Sequence, residues 1–491
     1  MTKFMMYALI VAFLSTLVAV SYFAKRSEKT DSSENFIIGG RGIGTFVLMF
    51  SMGATYFSTW TLLGAFGSYY RDGVWFAGFT VWTIFHAIFI WLFGTRIWLA
   101  GKRYGFITPG QMFEHYYHSR RMRLLVALTG MVALVPVMLI QVTGGAMALA
   151  TLSQGGVPYI VGAGIMSLMV GAIVLWTGFK GTAWTDTFMG IFFATILIFT
   201  VIFVVRLAGG TEMFVRIAEY RPEVLINSGN PLKMLELWLG LCFGVWTFPH
   251  MWQKYYSASS AEVLGKVTVL TPFWNSWMMA GIPLLVGLAA SIPGIAPGVD
   301  AKTSDTILPL IFTSHAPLMG ALIVSGILAA AISTINSQLL SAASLAAEDV
   351  WVLWRGKANS EHSPRITRIV IIAMTLVVFA LAVIPGGSGF IVPVASLGYG
   401  LALQLVPSAL GILYFRRISE SGAFYGLLAG VLTMTACAII KPALPFGPAM
   451  AGIIVNIAVT LLVSLRSAPV AETSIRGYHD MFDRYMRNNI S

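Results

Sequence analysis

The chain has 491 residues, of which 57% are hydrophobic and 10% charged, against about 25% charged in an ordinary soluble domain. Apolar runs of about 20 residues, enough to cross a hydrocarbon core of about 30 Å, recur along nearly its whole length, and no stretch between them could house a soluble catalytic domain. The formal charge of +11 then reports loops biased to one side rather than a nucleic-acid partner, and Cys242 and Cys437, both in apolar segments, exclude a disulfide framework and a Cys-rich metal site.

The first run, 4–23, is longer than the roughly 7–15 apolar residues of a signal peptide, has no A-x-A-like site, and carries its basic flank KRSEK behind it. It predicts an uncleaved span with the N-terminus outside the cytoplasm. Twelve further spans follow at 43–69, 74–97, 124–152, 158–178, 185–207, 233–253, 266–292, 316–347, 366–385, 389–414, 421–440 and 448–465. The pattern is that of an all-α polytopic membrane protein of thirteen helices. The loops at 208–232 and 293–315 carry Pro, Gly and acids and suit short surface helices, and residues 466–491 form a polar, cytoplasmic tail.

This topology places 23 of the 31 basic residues inside, Lys29, Arg123, Lys180, Lys254 and Lys357 among them, as the positive-inside rule requires.

A membrane helix breaks only where protein or water satisfies the freed backbone groups. Two spans carry such signs. The second reads FSMGATYFSTWTLLGAFG, with glycines and a Thr-Tyr-Ser-Thr cluster, and the seventh reads GLCFGVWTFPH, where Pro249 removes a backbone donor. They lie five spans apart, so 43–207 and 233–414 form paired halves, inverted because each has an odd number of spans. The segments 4–23 and 421–465 are then additions to this core.

In the ninth span Ser333, Asn336, Ser337, Ser341 and Ser344 fall on one helical stripe, and Ser333 beside Thr334 puts hard oxygens within one turn, which suits a small cation. Such small residues also let helices approach closely. Asp186 in FKGTAWTDTFMG is a carboxylate close inside a span, whereas Glu236, Glu348 and Asp349 lie nearer the surfaces. An acid there marks function, or else an interfacial pairing with Lys180 or a helix N-terminus. His86 and His250 offer ligand or proton sites, and Gln141 is a mid-span amide. GGRGIG at 39–44 precedes a membrane span and follows no strand, so it is no nucleotide loop.

Together, GATYFSTW in the second span, AWTDT in the sixth and LAAAISTINSQLL in the ninth resemble the solute:sodium symporter family along essentially the whole chain, with GATY and STINSQLL most similar to its pantothenate and monocarboxylate permease branches. The resemblance implies a leucine-transporter-type inverted repeat. It implies a sodium site built from the carbonyls of Ala54, Phe57 and Ala330 and the hydroxyls of Ser333 and Thr334. A second sodium, in members that have one, falls to Asp186, Ser333, Asn336 and Ser337, with Asn336 standing where a Ser is expected. The substrate pocket falls to Tyr56, Ser58, Thr61, Phe79, Trp82, Gln141, Trp246, Thr247 and His250. Some sialic-acid-transporting relatives hold a carboxylate with an Arg in the fourth span, and this chain has none there.

The expected function is sodium-coupled import of a small, carboxylate-bearing solute across a bacterial-type inner membrane. Sodium is the coupling ion, the substrate undergoes no chemistry, and neither a nucleic acid nor an obligate protein partner is called for. A proton-coupled carrier titrating Asp186 or His250, and a membrane sensor or channel, are the alternatives.

Overall fold

Inside a bilayer the backbone has no water to bond with, so each apolar run must satisfy its own N–H and C=O groups, and this chain does so with helices. The computed structural model describes residues 2–26, 32–355, 363–384 and 389–490; Lys29 and Lys357 of the basic-residue count lie outside them. Among the described residues, ten helices are long and apolar enough to cross a membrane, or eleven if the pair Ile391–Leu403 and Val406–Leu413, bent by 40°, is one span. The protein is therefore an all-helical multi-pass membrane protein, but thirteen separate spans are not found.

Broken helices account for the difference. Expected span 43–69 yields Thr45–Tyr56, only 12 residues long, and its continuation beyond Phe57 runs together with 74–97 inside the stretch Trp60–Tyr104. Expected span 233–253 divides into Pro231–Leu239, a π-helical turn Gly240–Gly244, a tight turn Val245–Thr247 and Pro249–Ser257. The two loops expected to hold short helices contain Met213–Tyr220 and Ile307–His315.

The Pro317–Ser344 helix is the axis of the bundle. In its most apolar window 83% of residues are buried, against 22% for Arg365–Val383 and 28% for Phe4–Phe23. Its run of Ala, Ser and Gly lets neighbours approach closely, and it packs on Arg120–Leu152, on Tyr159–Leu207 and on the N-terminal helix. Tyr159–Leu207 is two spans, parted at Gly178, whose φ of 58° and contact with the Phe36 ring leave no room for a side chain.

The segment 39–44 shapes the backbone. Gly39–Arg41 is a 3-10 turn, after which Ile43 N–H donates to Ser257 C=O and Ser259 N–H to Ile43 C=O, both at 3.0 Å. This bridge joins the start of one broken span to the end of the other. Ion pairs secure both ends of the bundle. Arg71 meets Asp305 at 2.8 Å, and the other Asp305 oxygen accepts from Ile391 N–H at 2.8 Å. At the opposite end Arg123 meets Asp349 at 2.7 Å and Glu114 at 2.6 Å. Glu236 caps the Pro448–Arg466 helix, accepting from Gly447 N–H at 2.7 Å and Ala449 N–H at 2.8 Å.

Candidate functional site

The break in the Thr45–Tyr56 helix is a short bend at Phe57 (ψ 80°), where Ser58 N–H reaches back to Tyr56 C=O at 3.0 Å. The freed groups find side-chain partners. Thr59 N–H and its hydroxyl donate to Gln141 Oε1 at 3.1 and 3.0 Å, the Thr61 hydroxyl donates to Tyr56 C=O at 3.1 Å, and Ser58 Oγ accepts from Trp60 N–H at 3.1 Å. Gln141 anchors itself by donating to Val137 C=O at 3.1 Å. Ser58, Thr61 and Gln141, expected to line a pocket, thus spend hydrogen bonds on holding the bend open.

The second break falls at Phe248, in extended conformation ahead of Pro249, the first residue of the next helix. Proline suits that position because the amide there has no helical partner to lose. Thr247 donates to Gly244 C=O and Ala402 C=O, both at 2.7 Å, tying the break to the Ile391–Leu403 helix.

Where the first break meets the axial helix, oxygens converge. Ser333 Oγ lies 3.0 Å from both Ala54 O and Ala330 O, and Thr334 Oγ1 lies 2.9 Å from Ala330 O, 3.2 Å from Ala54 O and 3.3 Å from Thr55 O. Ala54, Ala330, Ser333 and Thr334 are all buried, as is Phe57. The cluster consists of uncharged carbonyl and hydroxyl oxygens on two helices, the donor set a hard cation takes. Four of the five residues expected at the main sodium site are in mutual contact, with Phe57 at the bend beside them.

One helical turn away on the same two helices is a charged cluster. Asp186 Oδ2 accepts from Ser51 Oγ at 2.9 Å and stands 3.4 Å from Lys254 Nζ, with Ser337 Oγ at 3.5 Å. Lys254 Nζ also donates to Ser51 C=O and Ser51 Oγ, both at 2.7 Å. The partner of Asp186 is therefore Lys254 rather than Lys180, whose side chain lies outside the described residues. Asn336 is buried close by, and its amide finds no hydrogen-bond partner among the described residues. Neither Lys254 nor Ser51 stands out in the sequence. Lys254, with Gln253 before it and Tyr255-Tyr256-Ser257 after it, reads as a loop charge at the end of a span.

Among the expected substrate residues, Tyr56 and Trp82 come together, their ring centres 5.7 Å apart, and His86 joins them at 4.3 Å from Tyr56 and 5.0 Å from Trp82. Tyr56 OH reaches Met251 Sδ at 3.5 Å, which brings in the second broken span. Phe79 belongs instead to a cluster with Trp60 at 5.2 Å and Phe76 at 4.8 Å, and Trp246 stacks on Phe93 at 4.1 Å. Both ring nitrogens of His86, Nδ1 of His250 and Nε1 of Trp82 and Trp246 are buried without a hydrogen-bond partner among the described residues. Buried polar atoms are seldom left unpaired, and these belong to side chains that touch Tyr56 or lie in the second broken span.

Residues 36–430 match the Sodium:solute symporter family. The chain belongs to that family. Sodium is accordingly the coupling ion of this symporter, and transport is its role. The symporter is similar to the sodium/pantothenate symporter of Escherichia coli, 26% identical over 437 residues that cover 86% of this chain and 88% of the relative. It is 27% identical over 436 residues to a sodium/proline symporter of Haemophilus influenzae, covering 84% of each. The fold is shared with a Na+-coupled sialic acid symporter solved in a substrate-bound outward-open state (TM-score 0.79, 18% identity, 96% of this chain and 100% of that one). It is shared more distantly with Mhp1, a nucleobase-cation-symport-1 family transporter (TM-score 0.57, 15% identity, 92% and 99%).

Proposed function

We propose that this symporter imports a small, carboxylate-bearing solute of the monocarboxylate or pantothenate-like class by alternating access. Sodium binds among Ala54 O, Phe57 O, Ala330 O, Ser333 Oγ and Thr334 Oγ1. The observation that carries the reading is the convergence of buried neutral oxygens where a broken helix crosses the axial one, at distances of 2.9–3.3 Å. The ion ties the Thr45–Tyr56 helix to the Pro317–Ser344 helix and so favours the outward-facing, substrate-competent state. Differential affinity for the two states is what allows an ion to shift their balance. The sodium gradient then sets the direction of transport.

The solute lies between the two breaks, against Tyr56, Trp82, Trp246 and His250, with Phe79 and Thr247 behind them and Ser58, Thr61 and Gln141 shaping the bend. Indole N–H groups donate and imidazole either donates or accepts, and half-helix N-termini favour anions; together these suit a carboxylate in the absence of an Arg. Segments 43–207 and 233–414 are the inverted halves, supported by breaks at corresponding places. The N-terminus lies outside, and the C-terminal tail lies in the cytoplasm of a cell with a bacterial-type inner membrane.

The test is thermal stability of the purified protein in sodium against potassium or choline, with a panel of monocarboxylates, pantothenate, amino acids and sugars. Sodium-specific stabilisation that Ser333→Ala abolishes and one carboxylate class enhances is the expected result. Equal stability in all three cations refutes the site, and enhancement by sugars alone refutes the substrate class.

A further inference from the structure

The cluster around Asp186 has its own cation. All three protons of the Lys254 ammonium have an acceptor: Ser51 C=O at 2.7 Å, Ser51 Oγ at 2.7 Å and Asp186 Oδ2 at 3.4 Å. Ser51 Oγ accepts from Lys254 and its own hydroxyl donates to Asp186 Oδ2 at 2.9 Å, which closes a ring of three groups. Lys254 is 1% and Asp186 0% exposed at the side chain, so the ammonium is held within the protein rather than resting at its surface.

We propose that the Lys254 ammonium is a resident counter-cation standing where a second sodium would sit, so that this symporter carries one sodium per cycle. The proposal rests on the sodium site at Ala54 and Ser333. Ser51 precedes Ala54 by three residues and Ser337 follows Ser333 by four, so the Asp186 cluster repeats the sodium site one turn along both helices, about 5 Å away. The upper position offers carbonyls and hydroxyls and no fixed charge. The lower one offers a carboxylate, and its balancing charge is already in place. Asp186 Oδ1 and the Asn336 amide have no hydrogen-bond partner among the described residues. A sodium drawn to them would set two positive charges against one carboxylate at close range, and that excludes the ion.

Lys254 comes from the Pro249–Ser257 helix, Ser51 from Thr45–Tyr56 and Asp186 from the span after Gly178. The ammonium therefore joins both broken helices to a third element without taking an ion from solution.

The experiment counts bound ions. Equilibrium binding of radioactive sodium to the purified full-length protein is measured for wild type, Lys254→Met, Asp186→Asn, the double variant Lys254→Met/Asp186→Asn, and Ser333→Ala. Wild type is expected to bind one sodium per chain with a hyperbolic isotherm. The double variant, which leaves no unpaired buried charge, keeps one sodium per chain. Folded Lys254→Met gains a second. Two sodium ions in wild type, one sodium in folded Lys254→Met, or the loss of an ion in Asp186→Asn or the double variant overturns the proposal. Ser333→Ala keeps the two ideas apart: if it retains wild-type affinity, the Ala54–Ser333 reading fails, whereas loss of at least about tenfold, with one sodium kept by the double variant and two bound by folded Lys254→Met, upholds both.

Discussion

Ser333→Ala isolates the sodium contact more cleanly than any other single change. The Ser333 hydroxyl is fully buried and lies 3.0 Å from Ala54 O across the helix break and 3.0 Å from Ala330 O within its own helix. Without sodium, the variant loses one neutral hydrogen bond, about 0.5–1.5 kcal/mol of stability. With sodium it also loses an oxygen that faces a full charge, and bonds to charged groups are worth about 1.5–3 kcal/mol. At about 1.4 kcal/mol per factor of ten, sodium binding should weaken by about 10- to 150-fold. The assay is a sodium titration of thermal stability at constant ionic strength, with choline as the replacement. Ser325→Ala is the control: that serine is just as buried, two turns earlier in the same helix, but only bonds back to Ala321 C=O at 2.8 Å. A change of less than about threefold in folded Ser333→Ala, or an equal change in Ser325→Ala, would refute the reasoning, since a neutral bond alone accounts for an effect of that size.

Gln141→Leu should unseat the first break, because Thr59 N–H donates to Gln141 Oε1 at 3.1 Å, whereas the Thr59 hydroxyl keeps Ile140 C=O at 2.9 Å; a loss of about 1–3 kcal/mol for the stranded amide is expected in thermal unfolding, in sodium and choline alike. Arg123→Leu leaves the fully buried Asp349 without the cation it meets at 2.7 Å, which should cost about 3–5 kcal/mol, with Arg123→Leu/Asp349→Leu less destabilised than Arg123→Leu alone. The tail should respond to acid. His479 meets Tyr116 OH at 3.0 Å and His115 meets Tyr478 OH at 2.9 Å, while Ser474 Oγ lies 2.8 Å from His118 Nε2. Burial, with the Arg416 charge beside it, pushes His479 down from 6.5 to about 4, and burial together with His118 also lowers His115. A histidine held neutral in the docked tail contributes fully above its free value, and that stability is lost as pH falls from 6.5 toward about 4. Hydrogen exchange of residues 472–490, corrected for intrinsic pH dependence, should quicken over that window; unchanged protection would refute it.

The features legible in the sequence are those that violate the bilayer's local rules. Pro249 after an apolar run and the glycines around Ala54 mark the breaks because a membrane helix carries such residues only where its backbone is satisfied elsewhere. Ser333 and Thr334 are visible as hard oxygens on a buried helix. Lys254 is not, because its burial depends on the helix restarting at Pro249 and turning its base toward Ser51, a long-range event that no window of sequence records. The same limit hides the role of Gln141: a mid-span amide reads equally well as ligand or clamp until Thr59 is seen against it. The count of thirteen is not matched by continuous apolar helices for a related reason, since hydropathy windows cannot show that Thr45–Tyr56 stops after 12 residues while the chain beyond it continues through Trp60–Tyr104.

Sodium-driven uptake in proteoliposomes tests the account most directly. An inward sodium gradient should drive accumulation of one carboxylate-bearing solute from the panel, with loss of uptake on adding a sodium ionophore and none on adding a protonophore at clamped membrane potential. Uptake that persists without sodium and follows an imposed pH gradient would contradict sodium coupling at Ala54 and Ser333.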